Sequence, residues 1–328
     1  MKRRIWMLPT LLAALAALMA AAIFMNNREE PAIANQGQSL HAPAKQDTLT
    51  YGDRTYPVKK HLNTVLLIGT DSEEAYVQKE DALQDYYNYN QADFLILLVQ
   101  DLQENTTQVL QLNRDTMTDV PWLDVLGNYG GTQFQQICRA FNSGDGGRAS
   151  CLNTVDAVSA LLFDAPVRHY IQVPMSAIPV MNNLVGGVPV KISEDLTKID
   201  PAFTAGSTVC LTGDQAEKFV RARRGLADDT NTARMERQRI YLEGFQKQIR
   251  QVFREDPDVS VKLAEKLGEF IQTDLTARQL SELMESLDRS RISPIRSPEG
   301  ELLAGAEHYE FFVEEESLWQ LVHGAYCG

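Results

Sequence analysis

Short apolar runs alternate with stretches of helical spacing along most of this chain. The short runs end at glycine, asparagine or charged residues and predict buried strands at 64–68, 94–99, 108–112, 170–173 and 188–192. Helical spacing or capping residues predict helices at 151–163, 175–184, 212–221, 230–253 and 317–325, with a shorter helix capped at 276. Asn153 or Thr154 is the candidate cap of the first. Strands that alternate with helices favour an α/β fold with helices on both faces of one sheet.

The beginning of the chain predicts a membrane segment. Three basic residues at 2–4 precede an uncharged apolar run at 5–25, and about 20 such residues cross a bilayer core. Basic residues before the run place the N-terminus in the cytoplasm and the rest outside. The length of the run favours an uncleaved signal-anchor, and a signal peptide cleaved near 20–22 is the alternative.

The pattern divides the chain into five parts. Residues 26–57 lack apolar periodicity and predict a linker. The parts are a cytoplasmic end (1–4), a transmembrane segment (5–25), the linker (26–57), a main α/β domain (58–255) and a C-terminal α/β extension without an assigned role (256–328).

Composition removes several classes of function. The chain has 328 residues, and 44 acidic against 31 basic residues give a net charge of −13, which disfavours nucleic-acid binding. Its five histidines show no HExxH spacing, which disfavours a zinc hydrolase. GxSxG, GxxxxGK[ST] and GxGxxG are also absent from the sequence. The sequence therefore lacks the motifs by which serine hydrolases, P-loop ATPases and dinucleotide-binding enzymes are identified.

Charged residues collect beside three predicted strands. Asp71 follows the first, Asp93 precedes the second, and Arg114 and Asp115 follow the third. Ligands of open α/β sheets bind at strand ends, so these side chains are expected to share one end of the sheet. The alternative is that the aspartates are turn residues and helix caps.

Arginines are concentrated near the end of the main domain. Six lie within nineteen residues: Arg221, Arg223, Arg224, Arg234, Arg237 and Arg239. Arginine binds phosphate through a planar fork, and carboxylates hold divalent cations, so the two groups together fit a metal-bound pyrophosphate. A solvated helix face paired with neighbouring acids is the alternative.

The order of several short motifs resembles the LytR-CpsA-Psr family over 63–249. The motifs are Val65-Leu66-Leu67-Ile68-Gly69-Thr70-Asp71, Gln91-Ala92-Asp93, Leu112-Asn113-Arg114-Asp115-Thr116, Leu184-Val185-Gly186-Gly187-Val188-Pro189-Val190, Leu211-Thr212-Gly213-Asp214-Gln215-Ala216, Phe219-Val220-Arg221-Ala222-Arg223 and Ala233-Arg234-Met235-Glu236-Arg237-Gln238. The chain departs from the family at Gln91, which stands in place of an arginine. It also departs at 136–142, where Arg139 is the candidate replacement for the lysine of a Lys-Ile-Asn-His-Ala-Tyr element.

The resemblance implies a membrane-anchored, extracytoplasmic three-layer α-β-α sandwich around a central mixed sheet. It implies a phosphotransferase that moves a glycopolymer, such as teichoic acid or capsule, from a polyprenyl-pyrophosphate carrier to peptidoglycan with Mg²⁺, or alternatively Mn²⁺. The alternatives are a non-catalytic polyprenyl-phosphate or glycan-binding envelope protein, or a transcription attenuator.

The same resemblance assigns roles to individual positions. Asp71 and Asp93 are the expected metal ligands. The expected catalytic residues are Asp93, Arg114, Asp115 and Arg221. The expected pyrophosphate contacts are Arg114, Arg139, Arg221, Arg223, Arg234, Arg237 and Gln238.

The four cysteines lie in a part of the chain that is expected outside the membrane, where disulfides persist. Cys138 and Cys151 are thirteen positions apart around a glycine-rich loop and predict a disulfide. Such a bridge closes a short loop and contributes about 3 kcal/mol. Cys210 and Cys327 are left without a predicted partner.

Overall fold

The computed structural model describes residues 47–72, 90–124, 128–223, 225–255, 266–268, 270–306 and 308–327. Within this part of the chain, no helix has the length and apolar character that crossing a bilayer requires. The predicted transmembrane segment, 5–25, lies outside the described residues, as does most of the predicted linker.

The strands and helices follow the apolar pattern of the sequence. The strands are β1 (Thr48–Tyr51), β2 (Arg54–Pro57), β3 (Leu62–Thr70), β4 (Ala92–Asp101), β5 (Thr106–Leu112), β6 (Met117–Leu123), β7 (Tyr129–Gln136), β8 (His169–Pro174), β9 (Val188–Lys191), β10 (Thr208–Leu211), β11 (Gln272–Thr273), β12 (Arg291–Arg296), β13 (Gly300–Ala304) and β14 (Tyr309–Val313). The helices are α1 (Arg148–Leu161), α2 (Ala177–Leu184), α3 (Gly213–Arg221), α4 (Asn231–Glu255), α5 (Ala277–Arg289) and α6 (Glu315–Tyr326), with a 3-10 helix at Ile137–Asn142.

A mixed six-stranded sheet forms the centre, in the order β11, β8, β3, β4, β5, β12. β4 is antiparallel to both β3 and β5, whereas β3 runs parallel to β8 and β5 parallel to β12. Thr70 pairs with Ala92, and Leu95 pairs with Leu112. The end of β3, the start of β4 and the end of β5 therefore meet at one end of the sheet, as the sequence predicts.

Two hydrophobic cores lie on the two faces of the sheet. Alternate residues of a strand point to opposite faces, and Val65 and Leu67 enter a first core with residues of α2, α3, α4 and α5. Leu66 and Ile68 enter a second core with residues of α1 and α6. Helices thus cover both faces of the sheet, in three layers.

Two local features differ from the expectation. β9 does not join the central sheet but pairs antiparallel with β10 in a separate two-stranded ribbon. Helix α1 begins at Arg148, so Asn153 and Thr154 lie inside it rather than at its cap. Asp145 performs the capping, because its Oδ1 accepts the backbone N–H groups of Gly147 at 2.7 Å and Ala149 at 3.1 Å.

Both ends of the described chain belong to the packed structure. Residues 48–57, which the sequence assigns to the linker, form the β1–β2 hairpin, and Leu49 is fully buried in the second core. After residue 255, β12 extends the central sheet, α5 packs in the first core and α6 in the second.

We predict that Leu283→Ala, in α5, destabilises the whole fold. Leu283 is buried in the first core, and truncating a buried leucine costs about 2–5 kcal/mol. Chemical denaturation should show one transition at a lower midpoint. Exposed Glu282 pairs only at the surface with Arg278, so Glu282→Ala should shift stability by less than about 0.5 kcal/mol. A separate transition for the C-terminal segment would contradict this packing.

Candidate functional site

Two buried carboxylates and three arginines meet at the end of the sheet where β3, β4 and β5 converge. Asp93 is the second residue of β4, Arg114 and Asp115 follow β5, Arg223 follows α3, and Arg234 lies in the first turn of α4. We call these five residues the arginine–carboxylate cluster.

Asp93 accepts hydrogen bonds from two guanidinium groups. Its Oδ1 accepts from Arg114 Nη1, and its Oδ2 accepts from Arg234 Nη1 at 2.8 Å. Arg114 Nη2 also donates to Gln91 Oε1 and to Cys138 Sγ, the latter at 3.0 Å. All three charged groups are buried, so the ion pairs are shielded from solvent and from salt.

Asp115 is the most buried acid of the cluster, at 1% exposure. Its Oδ1 accepts from Gln136 Nε2 at 3.1 Å and lies 3.3 Å from Arg114 Nε. Its Oδ2 lies 3.5 Å from Arg223 Nη2. The Asp115 carboxylate therefore links the segment after β5 to the loop after α3.

Two uncharged residues, Asn231 and Gln136, orient the cluster and were not predicted. Asn231 Oδ1 accepts from Arg234 Nε at 3.0 Å and from its Nη2 at 2.5 Å, while Asn231 Nδ2 donates to Asn113 Oδ1 at 2.7 Å. The signal in the sequence is the spacing of Asn231 and Arg234, three residues apart at the start of a helix, which places both on one face.

The cluster carries an excess of positive charge. Three guanidinium groups against two carboxylates leave a net +1 (3 − 2) in a chain whose overall charge is −13. Burial, together with the nearby charges of Arg114 and Arg223, lowers the pKa of Arg234 to about 9. Arg234 is still protonated at neutral pH, so one positive charge of the cluster has no carboxylate to balance it. An anionic ligand would balance that charge.

Two predicted pyrophosphate contacts, Arg221 and Arg139, have partners other than the carboxylates of the cluster. Arg221 is exposed and donates to Glu217 Oε1 at 2.6 Å. Arg139 Nη2 lies 3.4 Å from His308 Nε2, and it is Gln136, not Arg139, that reaches Asp115.

Arg237 supports the loop that carries Arg223. It is 1% exposed, and it donates to Glu194 Oε1 and to the backbone oxygen of Ala222, both at 2.5 Å. Because Ala222 immediately precedes Arg223, Arg237 fixes the direction in which the chain leaves α3.

An apolar cavity opens beside the cluster, on the first-core face of the sheet. It lies between the sheet and helices α2, α3 and α4, and its lining includes Gly69, Phe94, Met181, Val220 and Tyr241. Gln238, the remaining predicted contact, also lines it. The buried Oε1 of Gln238 has no hydrogen-bond partner in the described part of the chain, so the cavity offers one polar acceptor in an apolar wall.

The predicted metal ligands lie on adjoining strand ends. Asp71 Oδ1 accepts the backbone N–H of Gln91 at 2.6 Å, two residues before Asp93. Among the described residues, no three His, Cys, Asp or Glu side chains form a metal site. Mg²⁺ often takes one or two carboxylates together with phosphate oxygens, so Asp71 and Asp93 stay the candidate magnesium ligands.

The predicted disulfide is wrong, because Cys138 and Cys151 are both free and buried. The Cys138 thiol accepts from Arg114, whereas Cys151 packs into the second core. Burial raises the pKa of both thiols. The spacing of the two cysteines along the chain could not show that their thiols lie in different surroundings.

The family is decided by the comparison with known sequences. Residues 28–322 match the model of the LytR_cpsA_psr family. The chain belongs to this family. A relative from Halalkalibacterium halodurans, named polyisoprenyl-teichoic acid--peptidoglycan teichoic acid transferase TagU, is 27% identical over 220 residues, which are 67% of this chain and 63% of that protein. The TagU of Bacillus anthracis strain CDC 684 is 26% identical over 58% of this chain and 54% of its own length. The chain thus spans less than two thirds of these curated relatives.

Solved structures of low sequence identity share the fold. Protein gbs0355 from Streptococcus agalactiae superposes with a TM-score of 0.60 at 18% identity, over 82% of this chain and 91% of that one. TagT bound to LIIa-WTA superposes with a TM-score of 0.58 at 19% identity, over 86% and 96%. The mixed central sheet is therefore the fold that this family shares with these structures.

We predict that Asp93→Asn destabilises the protein as well as altering its site. The substitution removes the carboxylate that pairs with buried Arg234 and one of the two that pair with buried Arg114, and breaking a buried pair costs about 3–5 kcal/mol. Thermal unfolding should move to lower temperature, whereas Asp53→Asn in the exposed β1–β2 turn should leave it unchanged. Equal stability of the two variants would contradict the buried ion pairs of Asp93.

Thiol labelling at pH 8 should distinguish exposed Cys210 from buried Cys138 and Cys151. The raised pKa values of Cys138 and Cys151 keep them protonated and unreactive in the folded protein. Exposed Cys210 should therefore react with iodoacetamide before either. Unfolding in denaturant should release both buried thiols, and mass mapping should locate the labels. A Cys138–Cys151 linked peptide in unreduced protein would contradict the structure.

Proposed function

We propose that this protein is an extracytoplasmic phosphotransferase that attaches a glycopolymer from a polyprenyl-pyrophosphate carrier to peptidoglycan. The observation that carries the proposal is the positively charged arginine–carboxylate cluster beside an apolar cavity, whose lining includes Phe94, next to Asp93 in β4, and Gln238, one turn after Arg234 in α4. The names of the TagU relatives support the same polymer and acceptor. The proposal includes the identity of the transferred glycopolymer as a teichoic acid.

The donor has two chemically opposite parts, and the protein offers a complement to each. A prenyl chain gains free energy by leaving water for an apolar wall such as that of Phe94, Met181 and Tyr241. The pyrophosphate is anionic and needs fixed positive charge. Arg114, Arg223 and Arg234 supply it through groups that hydrogen-bond phosphate oxygens in a plane.

The reaction joins an acceptor hydroxyl oxygen to the phosphorus that carries the glycopolymer. The bond from that phosphorus to the bridging oxygen breaks, and polyprenyl phosphate leaves with the electron pair. Negative charge builds on the phosphate oxygens and the leaving group, where the arginines neutralise it. Once phosphate oxygens take up the N–H groups of Arg114 and Arg234, the Asp93 carboxylate can accept the hydroxyl proton.

Asp71 and Asp93 are the residues that would hold Mg²⁺, or Mn²⁺ in its place. Both offer carboxylate oxygens, the ligands that these hard cations prefer. When bound, the ion would add positive charge at the pyrophosphate. Because Arg114 and Arg234 already bind Asp93, the metal is expected to bind together with the donor rather than before it.

The membrane anchor of the proposal rests on residues 1–25. Their basic start and apolar run would tether the folded domain to the outer side of the membrane that holds the lipid donor. Cleavage of this segment would release the domain from the membrane that holds the lipid donor. The proposal therefore includes the membrane anchor together with the donor lipid.

A binding protein without turnover is the second candidate, favoured by Gln91. This residue stands where the family carries an arginine, and its Oε1 accepts from Arg114 Nη2, so one positive charge is missing. The same donor-binding surface would then serve to hold the lipid-linked glycan.

We predict that Arg114→Lys lowers transfer at least about a hundredfold, because a point charge cannot replace the fork that joins Asp93, Gln91 and Cys138. The assay follows transfer of radiolabelled glycopolymer from its polyprenyl pyrophosphate to peptidoglycan, with and without chelator. The control is Arg289→Lys, an exposed arginine of α5, which should keep full activity.

Chelator should abolish wild-type transfer, and added Mg²⁺ should restore it. Wild-type protein that binds the donor but never transfers it supports the binding-protein alternative. Full activity of Arg114→Lys would show that the cluster is not the transfer site.

A further inference from the structure

An exposed aromatic pair lies where β14 meets the β6–β7 ribbon, which begins at the arginine–carboxylate cluster. β6 follows Asp115 within two residues and pairs antiparallel with β7. Phe134 of β7 is 60% exposed, and its ring centroid lies 6.5 Å from that of Phe312 of β14, which is 36% exposed. Large apolar side chains that face each other in solvent commonly mark a binding surface.

One face of β7 leads from the cluster to this aromatic pair. Residues two apart on a strand share a face, so Thr132, Phe134 and Gln136 point to the same side. Gln136 Nε2 donates to Asp115 Oδ1 at 3.1 Å and to the backbone oxygen of Tyr309 at 2.8 Å. Phe134 therefore lies about 7 Å along the strand from the residue that touches the cluster.

β7 carries no charged residue, and its sequence is Tyr-Gly-Gly-Thr-Gln-Phe-Gln-Gln. Aromatic rings stack on the C–H faces of sugars, while a hydroxyl group such as that of Thr132, on the same face as Phe134, hydrogen-bonds sugar hydroxyls. The nearest strand partner of Phe134 is Asp119, and Glu310 precedes Phe312 by two residues. An uncharged strand with acidic neighbours suits neutral sugar rings better than an anionic polymer.

The ribbon and the apolar cavity lie on opposite faces of the sheet. Val120 of β6 is buried in the second core, whereas the cavity is lined by first-core residues such as Met181 and Tyr241. Attack at phosphorus places the incoming and leaving oxygens roughly in line. If the leaving prenyl phosphate occupies the cavity side, the incoming hydroxyl arrives from the ribbon side.

We propose that Phe134, Phe312 and the uncharged face of β7 bind the acceptor, the sugar backbone of a peptidoglycan glycan strand. The proposal rests on the proposed transfer reaction for the identity of the acceptor. The stacked sugar rings would hold the strand so that one hydroxyl reaches the cluster beyond Gln136.

The test is a titration of full-length protein in nanodiscs with a peptide-free GlcNAc–MurNAc tetrasaccharide, measured by calorimetry. Phe134→Ala and Phe312→Ala should each weaken binding about tenfold, while Phe134→Trp keeps a ring and should retain it. The matched control is Leu102→Ala, which truncates a residue 48% exposed in the turn between β4 and β5, at the other end of the sheet. It should bind like wild type.

The transfer assay supplies the second readout. Phe134→Ala should raise KM for the acceptor by the same factor, with kcat and the affinity for the polyprenyl-pyrophosphate donor unchanged. Loss of donor affinity instead would assign the surface to the donor polymer and overturn the proposal. Undiminished tetrasaccharide binding by both alanine variants, an equal loss in Leu102→Ala, or no binding by wild type would also overturn it.

The proposed phosphotransferase activity and the proposed glycan-binding surface can be refuted independently of each other. Wild-type protein that binds the tetrasaccharide through Phe134 and Phe312 but transfers nothing would refute the phosphotransferase and leave the glycan surface standing. If the wild type transfers the glycopolymer and both phenylalanine variants transfer it equally well, the phosphotransferase stands and the glycan surface is refuted.

Discussion

The site depends on one buried carboxylate held by two guanidinium groups. Asp93 joins β4 to the segment after β5 through Arg114 and to helix α4 through Arg234. Each of these groups alone would be costly to bury, since an unpaired charge away from water costs several kcal/mol. Their mutual pairing is what allows three distant parts of the chain to place charge at one end of the sheet.

The excess positive charge follows from the same arrangement. Within the cluster, Asp93 and Asp115 neutralise two of the three arginines, which leaves one positive charge inside a strongly acidic protein. This local field, beside an apolar cavity, distinguishes the site from the rest of the surface, where Arg221, Arg278 and Arg289 pair with acids on their own helices. Surface pairs of that kind contribute little to stability.

Most of the fold was predictable because its determinants are local. β3, β4 and β5 read as short apolar runs, and the antiparallel β4–β5 pair joins neighbours in sequence, so the meeting of Asp71, Asp93 and Asp115 at one end followed from strand order. The capping boxes at Thr212 and Thr276 also formed as their sequences predict. β9 was read correctly as a strand, but its pairing with β10 depends on where the chain returns after residue 192.

The site was predictable in residue type but not in detail. Sequence spacing could not decide that Arg223 turns toward Asp115 while Arg221 pairs with Glu217, because this depends on where α3 ends and on the side-chain directions there. Asn231 and Gln136 carry no charge, so no charge pattern in the sequence marks them as part of the site. Cys138 and Cys151 failed as a pair because burial in different surroundings, not spacing, decides whether two thiols meet.

The most direct test of this account is a crystal structure of the protein with a polyprenyl pyrophosphate. The account predicts phosphate oxygens within hydrogen-bond distance of Arg114, Arg223 and Arg234, and the prenyl chain in the cavity lined by Phe94, Met181 and Tyr241. A pyrophosphate bound elsewhere, with Asp93 still paired to both arginines and the cavity unfilled, would contradict it.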